Sequence, residues 1–158
     1  MQAADITTCK ELNAIGRKQL KTTETTRHWA NWLLDYLATH PNGRTQFWKS
    51  DMRLLIHSDA SFLVEWAGKS NYQGFFYLGW KQSDEEEQKI NGTIVVSVSI
   101  LPLVAISVAE AEMGEAFYNR KKGKVLRLTI YEMGFKQGPT TIFVDNKTVS
   151  KICNNTIK

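Results

Sequence analysis

Residues 53–59 read RLLIHSD, a short apolar stretch that ends on an aspartate. Side chains of a strand alternate between its two faces, so Leu55, His57 and Asp59 share one face. Helical spacing dominates upstream of residue 53 and period-two spacing begins there, which marks a change from helix to sheet. We therefore predict a strand over residues 53–58, with Asp59 at its carboxyl end.

Upstream of this strand the chain is predicted to be helical. Apolar side chains recur at positions 29, 32, 33, 36 and 37, the spacing of one helix face, and Pro41 ends the pattern. We interpret Trp29 and Trp32 as core packing on that face. Residues 1–50 are therefore assigned to a helical connection segment, and residues 51–158 to a separate domain.

The pattern downstream of residue 59 predicts a mixed α/β domain. Aromatic and β-branched side chains mark two further strands in succession, which favours a three-strand antiparallel meander. Turn residues and capping signals then separate helices from a last strand, giving the order β-β-β-α-α-β-α. The predicted elements are strands over 74–80, 93–101 and 141–144, and helices that start at Ser107, span 125–133 with Gly134 as the stop, and follow Asn146 as the cap.

Composition places the chain among ordinary globular domains. It has 158 residues, 42% of them hydrophobic, and its net charge of +4 is compatible with a polyanionic partner without establishing one. Its two cysteines have no metal-ligand spacing, and no amino-terminal apolar segment indicates secretion. The most apolar run, 94–108, is too short to span a bilayer. We therefore expect an intracellular protein, cytoplasmic or nuclear, with no membrane partner.

Asp59 and Asp145 share a context, because each follows a short apolar strand. If these strands are parallel neighbours, both carboxylates emerge at the same edge of the sheet. A third carboxylate is expected from the next helix, where Glu110 and Glu112 are two residues apart and so point about 200° apart. Glu110 forms a capping box with Ser107, whereas Glu112 borders the predicted buried face and is therefore the third candidate. That buried face is defined by Ala109, Met113 and Ala116.

Three converging carboxylates repel one another unless a cation compensates their charge. Oxygen ligands of this kind suit Mg²⁺ or Mn²⁺, and a pair of such ions activates water and stabilises the leaving oxygen in phosphodiester hydrolysis. Asp59, Glu112 and Asp145 are therefore candidate metal ligands and catalytic residues. The alternative for each is ordinary, since an aspartate after a strand is often a turn former and a helical glutamate is usually solvated.

Three short strings carry a resemblance to a known family. They are LIHSDAS at 55–61, AEAEMG at 109–114 and VDNKT at 144–148. In their order, and in their placement on strand, helix and strand, they resemble the ribonuclease H domain of copia-type retrotransposon polyproteins. The helix over 28–41 is similar to the segment that links this domain to the polymerase, and residues 152–156 continue the match.

The resemblance implies a ribonuclease H-like mixed sheet of three antiparallel strands and one parallel strand, with flanking helices. It also implies hydrolysis of the RNA strand of RNA–DNA hybrids with two Mg²⁺ or Mn²⁺ ions. An upstream reverse transcriptase region and an intracellular setting that includes virus-like particles are implied as well. Asp59, Glu112 and Asp145 match three of the family's four metal-binding carboxylates. Lys69 and Lys147 are candidates for holding phosphates, although exposed surface is the preferred interpretation of both.

The resemblance also contains a departure. The family's fourth carboxylate, last strand and final helix fall downstream of Lys158, so we expect a carboxy-terminally truncated chain with impaired catalysis. Whether the chain is an active enzyme is left open. A non-catalytic ribonuclease H-fold relic or nucleic-acid-binding scaffold is the alternative, and a generic α/β domain with coincidental acids is a third.

Overall fold

The structure is a computed structural model that describes residues 6–81 and 91–154. The chain divides into two compact units, Met1–Gln46 and Phe47–Lys158. Positions 155 and 156 of the matched tail lie outside the described residues. Within the described ranges, no helix combines the length and the apolar character needed to cross a membrane.

The first unit contains two α-helices, α1 (Cys9–Gly16) and α2 (Glu24–Thr39). Helix α2 begins with a capping box in which the side chains of Thr23 and Thr26 each accept the other's backbone N–H. The interpretation of Trp29 and Trp32 as core packing is wrong, since Trp32 is 65% exposed. Both side chains line a groove against α1, because the described part of this unit, residues 6–46, is too small to cover the stripe.

The second unit is built on a four-stranded mixed sheet with the order β3-β2-β1-β4. Strand β1 pairs antiparallel with β2, β2 pairs antiparallel with β3, and β1 pairs parallel with β4. The chain therefore has an α/β fold with three antiparallel strands and one parallel strand, as predicted. The strands are β1 (Arg53–Glu65), β2 (Lys69–Gly79), β3 (Thr93–Ile100) and β4 (Thr141–Val144).

Strand β1 is longer than predicted, so Asp59 lies inside it and not at its end. The apolar, β-prone residues that follow Asp59 continue the ladder with β2 as a hairpin. A short 3₁₀ turn, Trp66–Gly68, closes this hairpin, and Gly68 adopts a positive φ of 66° that glycine tolerates well. The second strand was predicted to start at Gly74, but it starts at Lys69, because its first residues pair with the part of β1 that follows Asp59.

One continuous helix, α3 (Val108–Glu132), replaces the two helices predicted between β3 and β4. Gly123 lies inside this helix, at a point where α3 closely approaches β1. A Cβ at this position would lie 2.4 Å from the Cδ1 atom of Ile56 on β1. The glycine thus allows close packing of helix on sheet. Gly134 ends the helix as predicted, with φ of 94° and with the Phe135 N–H donating to the Ile130 carbonyl at 3.2 Å.

Helix α3 packs across one face of the sheet. Leu54, Ile56, Phe76 and Ile130 form a buried cluster between the two, and truncation of a buried leucine or isoleucine in such a cluster costs about 2–5 kcal/mol. Alternate β1 residues therefore face α3. The short closing helix, α4 (Lys147–Cys153), follows β4 directly, as predicted.

Candidate functional site

The β1–β4 register places Asp59 and Asp145 side by side. Ser58 and Val144 form the last parallel pair, and the next residue on each strand is the aspartate. Both aspartates are exposed. The two acids therefore lie where the parallel pairing of β1 with β4 ends, a kind of position at which sites of α/β proteins form, while β1 continues past Asp59 in its pairing with β2.

Glu112 meets this edge from helix α3. It is 7% exposed, and its side chain lies next to those of Asp145 and Asn146. Burial raises the pKa of Glu112, and the neighbouring carboxylates of Asp145 and, to a smaller extent, Asp59 raise it further. Glu112 and Asp145 therefore form a coupled acidic pair, with Asp59 as a more distant third member.

Glu110 takes the separate role that the capping pattern predicted for it, with one difference in its partner. The Ser107 hydroxyl accepts the Glu110 backbone N–H at 3.1 Å, while the Glu110 carboxylate accepts the N–H of Ile106 at 2.8 Å. In a standard capping box the glutamate would accept the N–H of the cap residue itself. Glu110 thus supports the start of α3 and leaves Glu112 to face the strand ends.

The chemistry of the three acids suits a hard divalent cation, and one observation fits it closely. The Oε2 atom of Glu112 is buried without a hydrogen-bond partner, a costly state for a carboxylate oxygen that a cation would relieve. However, residues 6–81 and 91–154 contain no group of three Asp, Glu, His or Cys side chains placed to hold one ion. The alternation of side chains along β1 explains this. Asp59 points to the same face of the sheet as His57, and that face is turned away from α3. The donor types therefore fit the metal, while the present spacing brings only two of them into contact.

A fourth acid, Glu115, lies beneath the site and was not predicted. It is 1% exposed, and its Oε1 atom accepts the backbone N–H of Asp59 at 2.5 Å and that of Gln73 at 3.2 Å. Burial raises its pKa to about 8, although the backbone hydrogen bonds act in the opposite direction. Glu115 is thus a second carboxyl group on α3 that is directed at the strand carrying Asp59.

Asn119 holds this buried acid in place. Its Nδ2 group donates to the Ser58 hydroxyl at 2.9 Å, to the Gln73 carbonyl at 3.2 Å and to Glu115 Oε1 at 3.3 Å. Gly74 makes room for it, because a Cβ there would lie 2.2 Å from the Asn119 Oδ1 atom. The helix and the sheet are therefore joined below the site by a connected set of buried polar groups.

Asn146 has two contacts that connect the site to α4. Its Oδ1 atom accepts the backbone N–H groups of Thr148 and Val149, at 2.9 and 3.3 Å, and so caps α4. Its side chain also hydrogen-bonds Glu112, which lowers the pKa of that acid against the larger effects of burial and Asp145. Of the two lysines considered for phosphate contacts, Lys147 is exposed and Lys69 is half-buried.

The signal for Glu115 was present in the sequence but was hidden by the assumption of an apolar buried face. The predicted face of Ala109, Met113 and Ala116 is wrong, since Met113 is 40% exposed. The buried positions of α3 include Glu112, Glu115 and Asn119, which are spaced three and four residues apart. A polar side chain at each turn of a long helix was the available clue.

Comparisons of this chain with protein-family models, with curated proteins and with solved structures found no match.

Proposed function

We propose that this chain is a retrotransposon-derived ribonuclease H-like domain that hydrolyses the RNA strand of RNA–DNA hybrids with Mg²⁺ or Mn²⁺. The observation that carries the proposal is the contact between Glu112 and Asp145 beside Asp59, at the point where β4 pairing ends. These are the three residues that match the family's metal-binding carboxylates.

The arrangement of elements supports the proposal. The mixed sheet has one parallel strand beside β1, and a long helix crosses the same sheet, which is compatible with the ribonuclease H-like architecture. The three matched strings lie on β1, on α3 and across the end of β4, in the order that the resemblance implies, and this order supports the proposal.

In the proposed reaction Asp59, Glu112 and Asp145 would hold the cations, which would supply positive charge to the scissile phosphodiester and an activated water. The Glu112 oxygen without a partner is the group best prepared to bind. Asp59 and Asp145 are exposed and would be accessible to a hybrid. The proposed partners are an RNA–DNA hybrid and, in a full polyprotein, an upstream reverse transcriptase region; the proposed setting is intracellular.

A second candidate is a non-catalytic ribonuclease H-fold relic or nucleic-acid-binding scaffold. The spacing of the acids favours it, because no three of the described metal-ligating side chains surround one point. A two-ion mechanism needs ligands that bring both ions within about 4 Å of each other. This candidate predicts hybrid binding without cleavage.

Cleavage of a labelled RNA–DNA hybrid with and without Mn²⁺ tests the proposal. We expect metal-dependent cleavage in the wild type, a loss of at least about a hundredfold in Asp145→Asn and Glu112→Gln, and no change in the control Glu132→Gln. Glu132 is an exposed acid at the end of the same helix. Cleavage that survives both site substitutions would remove the site assignment, and binding without cleavage would select the scaffold.

A further inference from the structure

The carboxyl group of Glu115 is inserted into the sheet at the residue pair that carries Asp59. Asp59 and Gln73 are direct partners on β1 and β2, and both donate their backbone N–H groups to the same Oε1 atom of Glu115. Backbone donors of a ladder normally bind carbonyls of neighbouring strands. Here a helix side chain takes that role.

The position of Asp59 along β1 explains the need for such a contact. The parallel partner β4 last pairs with β1 at Ser58, so from Asp59 onward the described residues provide β1 with a strand partner only on the β2 side. A main chain supported on one side moves more easily than one held on both. Glu115 supplies an acceptor at the first residue of β1 beyond its pairing with β4.

A buried acid is a costly choice for a purely structural contact. Glu115 is almost fully buried, and its pKa is raised to about 8 because burial disfavours the charged form. Apolar side chains at such a position are often neutral or stabilising. The cost is reduced only because three N–H donors converge on it, from Asp59, Gln73 and Asn119.

We propose that Glu115 is a positioning residue, which fixes the main chain at Asp59 and thereby sets where the Asp59 carboxylate stands relative to Glu112 and Asp145. Its effect on metal binding rests on the function proposed above; its hold on the main chain does not. Glu115 acts through Asp59 and contacts no substrate. Asn119 and Ser58 keep it aligned from below.

Amide hydrogen exchange measured by NMR on the full chain tests the contact directly. The variants are Glu115→Met, which keeps the volume without an acceptor, Glu115→Gln, which keeps one acceptor oxygen, and the control Glu132→Gln. We expect the Asp59 and Gln73 amides to exchange about tenfold faster in the methionine variant, with less change in the glutamine variant and none in the control. The Ile56 amide, in the paired part of β1, should not change.

The Asp59 side-chain carboxyl ¹³C shift and Mn²⁺ affinity are measured on the same samples. We expect the shift to move and the affinity to fall about tenfold in Glu115→Met, with partial rescue in Glu115→Gln. A solely structural role would lower the melting temperature and leave the shift and the affinity of the folded protein unchanged, and that result would overturn the proposal.

Failure of the proposed function is recognised separately. If the wild type binds no Mn²⁺ and cleaves no hybrid, the metal site is wrong, and the amide and carboxyl data alone decide whether Glu115 positions Asp59. If Glu115→Met does not fold, the comparison of Glu115→Gln with the wild type decides in the same way. Equal exchange of the Asp59 amide in all folded variants contradicts the inference.

Discussion

The buried Glu112 of α3 lies beside the carboxylate of Asp145, the residue that directly follows the parallel strand β4. Burial raises the pKa of Glu112, and the negative charge of Asp145 raises it further. A cation that binds Glu112 therefore competes with a proton on this carboxyl group.

Metal affinity is consequently expected to rise with pH. The pKa of Glu112 is raised, so the proton competes with Mn²⁺ over a higher pH range than an ordinary glutamate would allow. Isothermal titration with Mn²⁺ at several pH values measures this, and proton release is read from buffers of different ionisation enthalpy. Glu112→Gln should abolish the proton release, whereas Glu132→Gln should behave as the wild type. Affinity independent of pH would contradict the coupled pair.

The stability of the second unit should fall as pH rises toward 8. The folded pKa of Glu115 is about 8 and its ordinary value is 4.5, so between these values the folded state binds more protons than the unfolded state. Stability contributed by the neutral acid is complete below about pH 4.5 and is lost up to pH 8, with a slope of at most about 1.4 kcal/mol per pH unit.

Urea denaturation of the wild type and Glu115→Gln at pH 5, 6, 7 and 8 isolates this contribution. The difference between the two proteins should change steadily in favour of the glutamine variant as pH increases, because the amide does not ionise. Glu112 contributes in the same direction in both proteins and therefore cancels. If the free energies of unfolding of the two proteins change equally with pH, Glu115 does not change its charge over this range.

Gly74→Ala should destabilise the protein by about 1–3 kcal/mol, because the new methyl group would lie 2.2 Å from the Asn119 side chain and displace it. The matched control is Gly114→Ala on α3, where a Cβ meets its nearest neighbours at 3.5 Å. That control should be neutral or stabilising by up to about 1 kcal/mol, since alanine favours the helix. Chemical denaturation compares the two, and equal effects would remove the special role of Asn119.

Asn146→Ala should cost about 1 kcal/mol, because it removes the cap of α4. It should also raise the pKa of Glu112 further, because a hydrogen bond to that side chain is lost. Asn146→Asp keeps the capping oxygen and should retain the stability of the helix, while its added charge raises the Glu112 pKa even more. Chemical denaturation measures the effect on stability, and ¹³C titration of the Glu112 carboxyl measures the effect on its pKa. An unchanged free energy of unfolding in Asn146→Ala would contradict the role of Asn146 as the cap.

Local patterns in the sequence predicted the elements whose signals are contained within a few residues. The apolar run after Arg53, the cap at Asn146 and the stop at Gly134 each act through neighbours in the chain, and the structure has all three. A parallel arrangement of β1 and β4 was considered because each predicted strand is followed by an aspartate, and the structure has this pairing.

Features that depend on partners distant in the chain were missed. Two helices were predicted where the structure has the single helix α3, and the close approach of Gly123 to Ile56 of β1 is not visible in any local pattern. The burial of Glu115 depends on donors from two strands and cannot be seen in a helical pattern that counts apolar residues. The continuation of β1 beyond Asp59 was likewise missed, because it depends on pairing with β2.

The part of β1 that extends beyond its last pair with β4 also bears on self-association of the protein. Among the described residues, this overhang has β2 on one side and no strand on the other, and it carries the exposed side chains of Leu63 and Val64. Such an open edge is a template for intermolecular strand pairing and aggregation. Leu63, with φ of 53°, and the register shift between Ser61 and Glu65 kink it. We therefore expect this irregular hairpin to disfavour edge-to-edge strand pairing between copies of the chain next to the acidic site.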